Sequence, residues 1–135
     1  MKFNFEIPAP LQLGTPISYY KGLLPDYRYL DISYLKMSFT GEIVGHCAVG
    51  DNDYTIRANV EGESVSSVEI LDVLETDSFL DIPLSLPNRK FVKALKDLSI
   101  EFDHDRDGVT IPLENGSIAL SYQCGKVVAI CWDSE

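Results

Sequence analysis

Residues 41–86 read GEIVGHCAVG DNDYTIRANV EGESVSSVEI LDVLETDSFL DIPLSL, and their period decides the fold. From Asp53 to Glu61, apolar Tyr54, Ile56, Ala58 and Val60 alternate with Asp53, Thr55, Arg57, Asn59 and Glu61. That is the pattern of a strand with one buried face. Ile43–Val49 precedes it across an Asp51-Asn52 turn, and Thr40-Gly41 turns the chain before that. Gly62-Glu63 leads on into Ser64–Glu75, where β-branched Val65, Val68, Ile70 and Val73 favour extended backbone. Consecutive strands joined by tight turns make an antiparallel meander, so a sheet is the expected main layer.

The same stretch concentrates charge. It carries ten carboxylates (Glu42, Asp51, Asp53, Glu61, Glu63, Glu69, Asp72, Glu75, Asp77, Asp81) and one base, Arg57, a local charge of −9 within a chain total of −10. Acid mounted on strands is displayed on a rigid scaffold. It repels phosphate backbones and anionic lipid heads, so neither nucleic acid nor a membrane surface is expected as a partner. A basic protein, or a cation, is the kind of ligand such charge favours, with fast electrostatic capture.

Toward the N-terminus, Phe3, Phe5 and Ile7 alternate with polar neighbours in a short strand stopped by Pro8 and Pro10. Residues 8–27 hold two glycines and more prolines, so an irregular path with at most one helical turn near Ile17–Lys21 is expected. Five of the seven tyrosines fall between Tyr19 and Tyr34, which makes that span either a recognition surface or a tyrosine lip of the core. Residues 28–39 fit two periods. Leu30, Ile32 and Tyr34 share one strand face and Leu35, Met37 and Phe39 the other, while Tyr27, Leu30, Tyr34 and Met37 also sit at helical spacing. The meander beginning at Thr40 favours a strand with a bulge near Tyr34–Leu35.

Toward the C-terminus, residues 76–86 read as an acidic, proline-bearing connection. Pro87–Leu98 then changes character: Phe91, Val92, Leu95 and Leu98 form an apolar stripe, with Arg89, Lys90, Lys93 and Lys96 opposite. Strands are expected again at Ile100–Phe102, Val109–Leu113, Ser117–Tyr122 and Lys126–Trp132, with hairpin turns at Asn115-Gly116 and Cys124-Gly125. The length of 135 residues suits a single domain covering 1–135. The expected class is α+β: a mostly antiparallel, twisted β-sheet of about eight or nine strands with one amphipathic helix at 87–98. A β-sandwich with an inserted helix is the alternative.

Candidate chemistry is sparse. Asp103-His104-Asp105-Arg106-Asp107-Gly108, followed after five residues by Glu114, satisfies the pattern D-x-[DN]-x-[DN]-G-x5-E and so resembles the calcium loop of EF-hand proteins. That resemblance, limited to these residues, implies calcium held by Asp103, Asp105, Asp107 and Glu114. The context departs from the family, because Pro112 and the Asn115-Gly116 hairpin occupy the place of the exit helix. The competing reading is a solvated Asp-Gly turn.

His46 and Cys47 are neighbours, and on a strand neighbours point to opposite faces, which denies them a nucleophile–base contact. No metal-ligand spacing, phosphate-binding glycine loop or G-x-S-x-G elbow is present. The expectation is therefore a non-enzyme with no catalytic residues and no cofactor. An odd count of three cysteines in apolar patterns reads as reduced thiols. With no apolar leader after Met1, the expected location is cytoplasmic.

In length, acidity, missing catalytic motifs and missing export signal, the chain is similar in kind to the small immunity proteins of bacterial polymorphic and contact-dependent toxin systems. The similarity implies a binding module that neutralises a basic toxin domain by occluding its active site. Contact residues would then be Asp51, Asp53, Glu61, Glu63 and Asp77, with Arg57, Tyr19, Tyr20 and Tyr27 as anchors. Two other classes fit the same features: a structural or assembly subunit, such as a phage-encoded one, whose sheet edges pair with further copies, and a small calcium- or ligand-binding β domain.

Overall fold

The alternation in Asp53–Glu61 is realised in β4 (Asn52–Glu61), where Tyr54, Ile56, Ala58 and Val60 are all buried. This strand sits inside an eight-stranded antiparallel sheet in a computed structural model that describes residues 1–134. Chain order begins with β1 (Lys2–Phe3), α1 (Ile17–Leu23), β2 (Arg28–Asp31) and a 3-10 turn at Ser33–Leu35. Next come β3 (Gly41–Val49), β4, β5 (Ser64–Leu71), β6 (Ser78–Phe79), β7 (Ile82–Pro83) and α2 (Asn88–Asp97). β8 (Asp103–His104), β9 (Gly108–Leu113), β10 (Gly116–Gln123) and β11 (Lys126–Ser134) end the described chain.

Two meanders make the large sheet. β2 to β5 pair in sequence, β8 to β11 pair in sequence, and β11 docks antiparallel on β5, giving the order β2-β3-β4-β5-β11-β10-β9-β8. The pairings Ile56↔Ile70, Ile70↔Ile130, Ile130↔Leu120 and Leu120↔Val109 run an apolar row across the sheet on one face. A second row links Ala58, Val68, Trp132, Ile118 and Ile111. All ten side chains are buried, and each fully buried large aliphatic stabilises the fold by about 1.5–3 kcal/mol.

That face is covered by α1, by α2 through Phe91, Val92 and Leu95, and by a small sheet of β1, β6 and β7. Phe3 carries the small sheet into the core, its ring 6.1 Å from Trp132 and 6.0 Å from Tyr54. The fold is thus α+β with a mostly antiparallel sheet.

The structure corrects several details. α1 makes two turns where one was expected, so there are two α-helices among the described residues. Residues 76–86 form a hairpin, β6–β7, and β1 pairs parallel to β6. The second sheet consists of two-residue strands, too small to make a sandwich. The strand expected over 28–39 stops at Asp31. The Asp31 carboxylate accepts from the N–H (2.9 Å) and hydroxyl (2.6 Å) of Ser33, an Asx turn that diverts the chain into the 3-10 turn. Lys36 in the left-handed region ends that turn.

Candidate functional site

The first edge of the large sheet is β2, and its path is set by Asp26. Continuing the β2–β3 register two residues beyond Arg28↔Val44 sets Asp26 opposite His46. There the strand has gone, and the Asp26 side chain takes over its pairing. Oδ1 accepts the His46 main-chain N–H at 2.8 Å, and Oδ2 lies 2.6 Å from His46 Nδ1. The hydrogen bond from the His46 ring, reinforced by the main-chain one, holds the Asp26 carboxyl below its ordinary value. Gly45 admits this crossing, because a Cβ there would lie 2.9 Å from Leu24 Cβ and 3.0 Å from Asp26 Oδ1.

The edge that results is open and partly apolar. β2 is exposed at all four residues, and its outer side has no neighbour among the described residues. Tyr27, Tyr29 and Leu30 are exposed, and the 3-10 turn and its exit add Tyr34 (72%), Leu35 (50%) and Met37 (57%). Large apolar side chains left in water cluster here, within eleven residues of chain, while Ile43 and Ile56 deeper in the same sheet are fully buried. Contiguous exposed apolar surface of this kind marks contact sites.

Carboxylates stand at both ends of this row. Asp26 and Asp53 line an open groove with His46, Cys47 and Ala48 at one end. At the other, Asp31 pairs with Gly41, which pairs with Val60, next to Glu61. Asp51 and Glu63, exposed in the turns on either side of β4, continue the two acidic ends. Asp51 and Asp53 are thereby separated from Glu61 and Glu63 by most of a ten-residue strand, about 25 Å at ~3.3 Å per residue. They bracket the sheet and do not form one cluster.

The remaining expected contact residues divide. Arg57 lies on the outer sheet face and donates to Glu69, its cross-strand partner. Asp77 is a correction: it is 1% exposed and bonds the Met1 amino group (2.9 Å), the Tyr54 hydroxyl (2.8 Å) and the Leu74 N–H (2.8 Å). It is a buried tie between β1, β4 and the β6 approach, with no surface to offer. Tyr20 is a second correction. It is fully buried, its hydroxyl exchanges hydrogen bonds with the main chain of Gln12, and burial pushes its phenol up to about 12. Tyr19 is half-buried and donates to the Pro10 carbonyl, whereas Tyr27 lies at the exposed edge. Sequence reasoning missed Tyr29, Leu30, Tyr34, Leu35 and Met37. The signal available was their apolar character in a segment that no period could place.

The calcium-loop residues are not brought together. Asp105 Oδ1 accepts the N–H groups of Asp107 (2.7 Å) and Gly108 (3.2 Å), the geometry of an Asx turn between β8 and β9. Glu114 lies beyond the far end of six-residue β9, about 20 Å along the strand. Among the described residues no three His, Cys, Asp or Glu side chains gather as metal ligands do. Cys47 turns away from His46, and burial, with Asp53 and Asp26 nearby, raises its thiol above the ordinary value. Burial likewise pushes the Cys131 thiol up to about 12. Among the described residues no helix is long and apolar enough to cross a membrane. No protein-family model, curated protein or solved structure matches this chain.

Proposed function

We propose that this chain is a protein-binding module that engages a basic protein domain through the β2 edge, in the manner of an immunity protein occluding a toxin's active site. The observation that supports it most is the row Leu30, Tyr34, Leu35 and Met37, at least half exposed on and just beyond the edge strand β2 and bracketed by Asp26, Asp53, Asp31 and Glu61. Covering these half-exposed apolar side chains removes them from water, so the row supplies affinity. The carboxylates at its ends supply orientation and a fast approach for a positive surface. The unused main-chain groups of β2 can take a strand from the partner.

The test is binding to the product of the adjacent reading frame, with wild type and Leu30→Asp/Tyr34→Asp compared at several salt concentrations. A basic partner bound in a salt-sensitive way by wild type and lost by the variant supports the reading. Equal binding by both, or an acidic partner, refutes it.

A further inference from the structure

Away from the β2 edge, α2 carries a basic stripe. Arg89, Val92, Lys93 and Lys96 of α2 fall at spacings of three and four residues and so share one stripe. Val92 is buried as the floor, while the three cations remain exposed. Facing them are His104 of β8, Asp105 and Tyr122 of β10, with Asn88 at the end of the helix. Together they line a groove of about 410 Å³, within the ~300–1,000 Å³ range of small-molecule sites.

The groove holds three fixed cations against one carboxylate, a charge of +2 on a chain of −10. Asp105 already commits Oδ1 to two main-chain amides. Lys93 reaches Asp97 only at 4.0 Å, with both side chains more than two-thirds exposed, so solvent screens that pair. Like charges at three- and four-residue spacing repel, and a bound anion would relieve them. Tyr122 adds a second kind of observation: its phenol oxygen is buried and has no hydrogen-bond partner among the described residues. Burial and the nearby Asp105 push its hydroxyl above the ordinary phenol value, which keeps it an O–H donor. Apart from Asp105, every polar lining group has a hydrogen to donate: a guanidinium fork, two ammonium groups, an amide, an imidazole and a phenol. Such a set suits a ligand made of acceptor oxygens. Among anions, phosphoryl groups match the bidentate Arg fork and the point charges of lysine.

We propose that this groove binds a phosphate-bearing small molecule, with Arg89, Lys93 and Lys96 on the phosphoryl oxygens and His104 and Tyr122 along the opposite wall. The site is separate from the β2 edge and does not depend on what that edge binds.

The experiment is a titration of the isotope-labelled full chain with pyrophosphate, followed by amide NMR at constant ionic strength. Inorganic phosphate and succinate serve as parallel arms. The expected result is saturable shifts confined to residues 88–97, 104–105 and 122. Pyrophosphate should bind at least about tenfold more tightly than succinate, because it offers more oxygens to the same donors. Lys93→Glu/Lys96→Glu should abolish saturation, and Lys96→Ala should weaken binding about tenfold. Lys96→Ala is the less disruptive variant and decides the matter if the double one misfolds. The proposal is overturned if pyrophosphate gives no saturation by ~10 mM, if succinate binds as well, or if Lys96→Ala titrates like wild type.

Discussion

β2 and β8 are the two open edges of one sheet, and they are treated in opposite ways. An unpaired strand invites other chains to add to it, and most folds blunt it by shortening it or loading it with charge. β8 follows that rule: two residues long, Asp103 and His104, it runs into the charged turn Asp105-Arg106-Asp107. β2 is twice as long and leads into Tyr34, Leu35 and Met37, all at least half exposed. On the proposed reading, the difference marks β2 as the edge that meets the partner.

Four measurements would break or sharpen that contrast. The largest effect should come from the core that carries both edges. Asp77→Ala removes the shared acceptor of Tyr54, Leu74 and the Met1 amino group, and denaturant unfolding should show a loss of about 3–5 kcal/mol. A loss below ~1 kcal/mol would mean that the tie is not holding β1 to β4. Next, Leu30→Asp/Tyr34→Asp should weaken partner binding a hundredfold or more, about 2.7 kcal/mol, while the denaturant m-value of the free protein stays unchanged. Asp103→Ser at the blunted edge should leave binding alone. Similar losses from both edges would dissolve the contrast.

Charge comes third. Asn and Gln at Asp51, Asp53, Glu61 and Glu63 should slow association about tenfold and flatten its salt dependence, with little change in dissociation. Because the two pairs lie at opposite ends of β4, neutralising each pair separately should tell which end faces the partner. The smallest effect is acid loosening of β2. Asp26 and Asp31 both hold their carboxyls below the ordinary value in the fold, through hydrogen bonds from His46 and Ser33 respectively. The stability they contribute is present above their ordinary value of 3.8 and is lost as pH falls through the lower folded values. Amide exchange at residues 27–33 should therefore accelerate below about pH 4 relative to β4, and Asn at both positions should remove that dependence.

Regular patterns were legible and edges were not. α2 and β3 to β5 show in the chain because each buries one face, so burial stamps its period on the residues. The expected helix at 87–98 and the observed Asn88–Asp97 differ only by the capping positions. β2 has little to bury, so residues 28–39 carry no deciding period, and the Asx turn at Asp31 settled the matter. The two-residue strands of the small sheet are shorter than any period.

Charge misled in one respect. Asp77 sits in a polar, proline-bearing stretch and reads like its neighbours, yet three donors, two of them distant in sequence, draw it inside. Asp103 to Gly108 matched a metal motif residue by residue. The motif's chemistry needs Glu114 to swing back, and an intervening strand holds it away.

The seam between the meanders governs how the chain reaches this state. β5 finds its neighbour β11 only after about sixty further residues have been made, since Val68 pairs with Trp132. During synthesis the first meander can zip up locally, yet the β5 edge from Ser67 to Ile70 stays without a partner strand until β11 arrives. Nascent chains should be most prone to stick to one another in that interval, and a chaperone that shields β5 should raise yield more than one that acts on the finished fold.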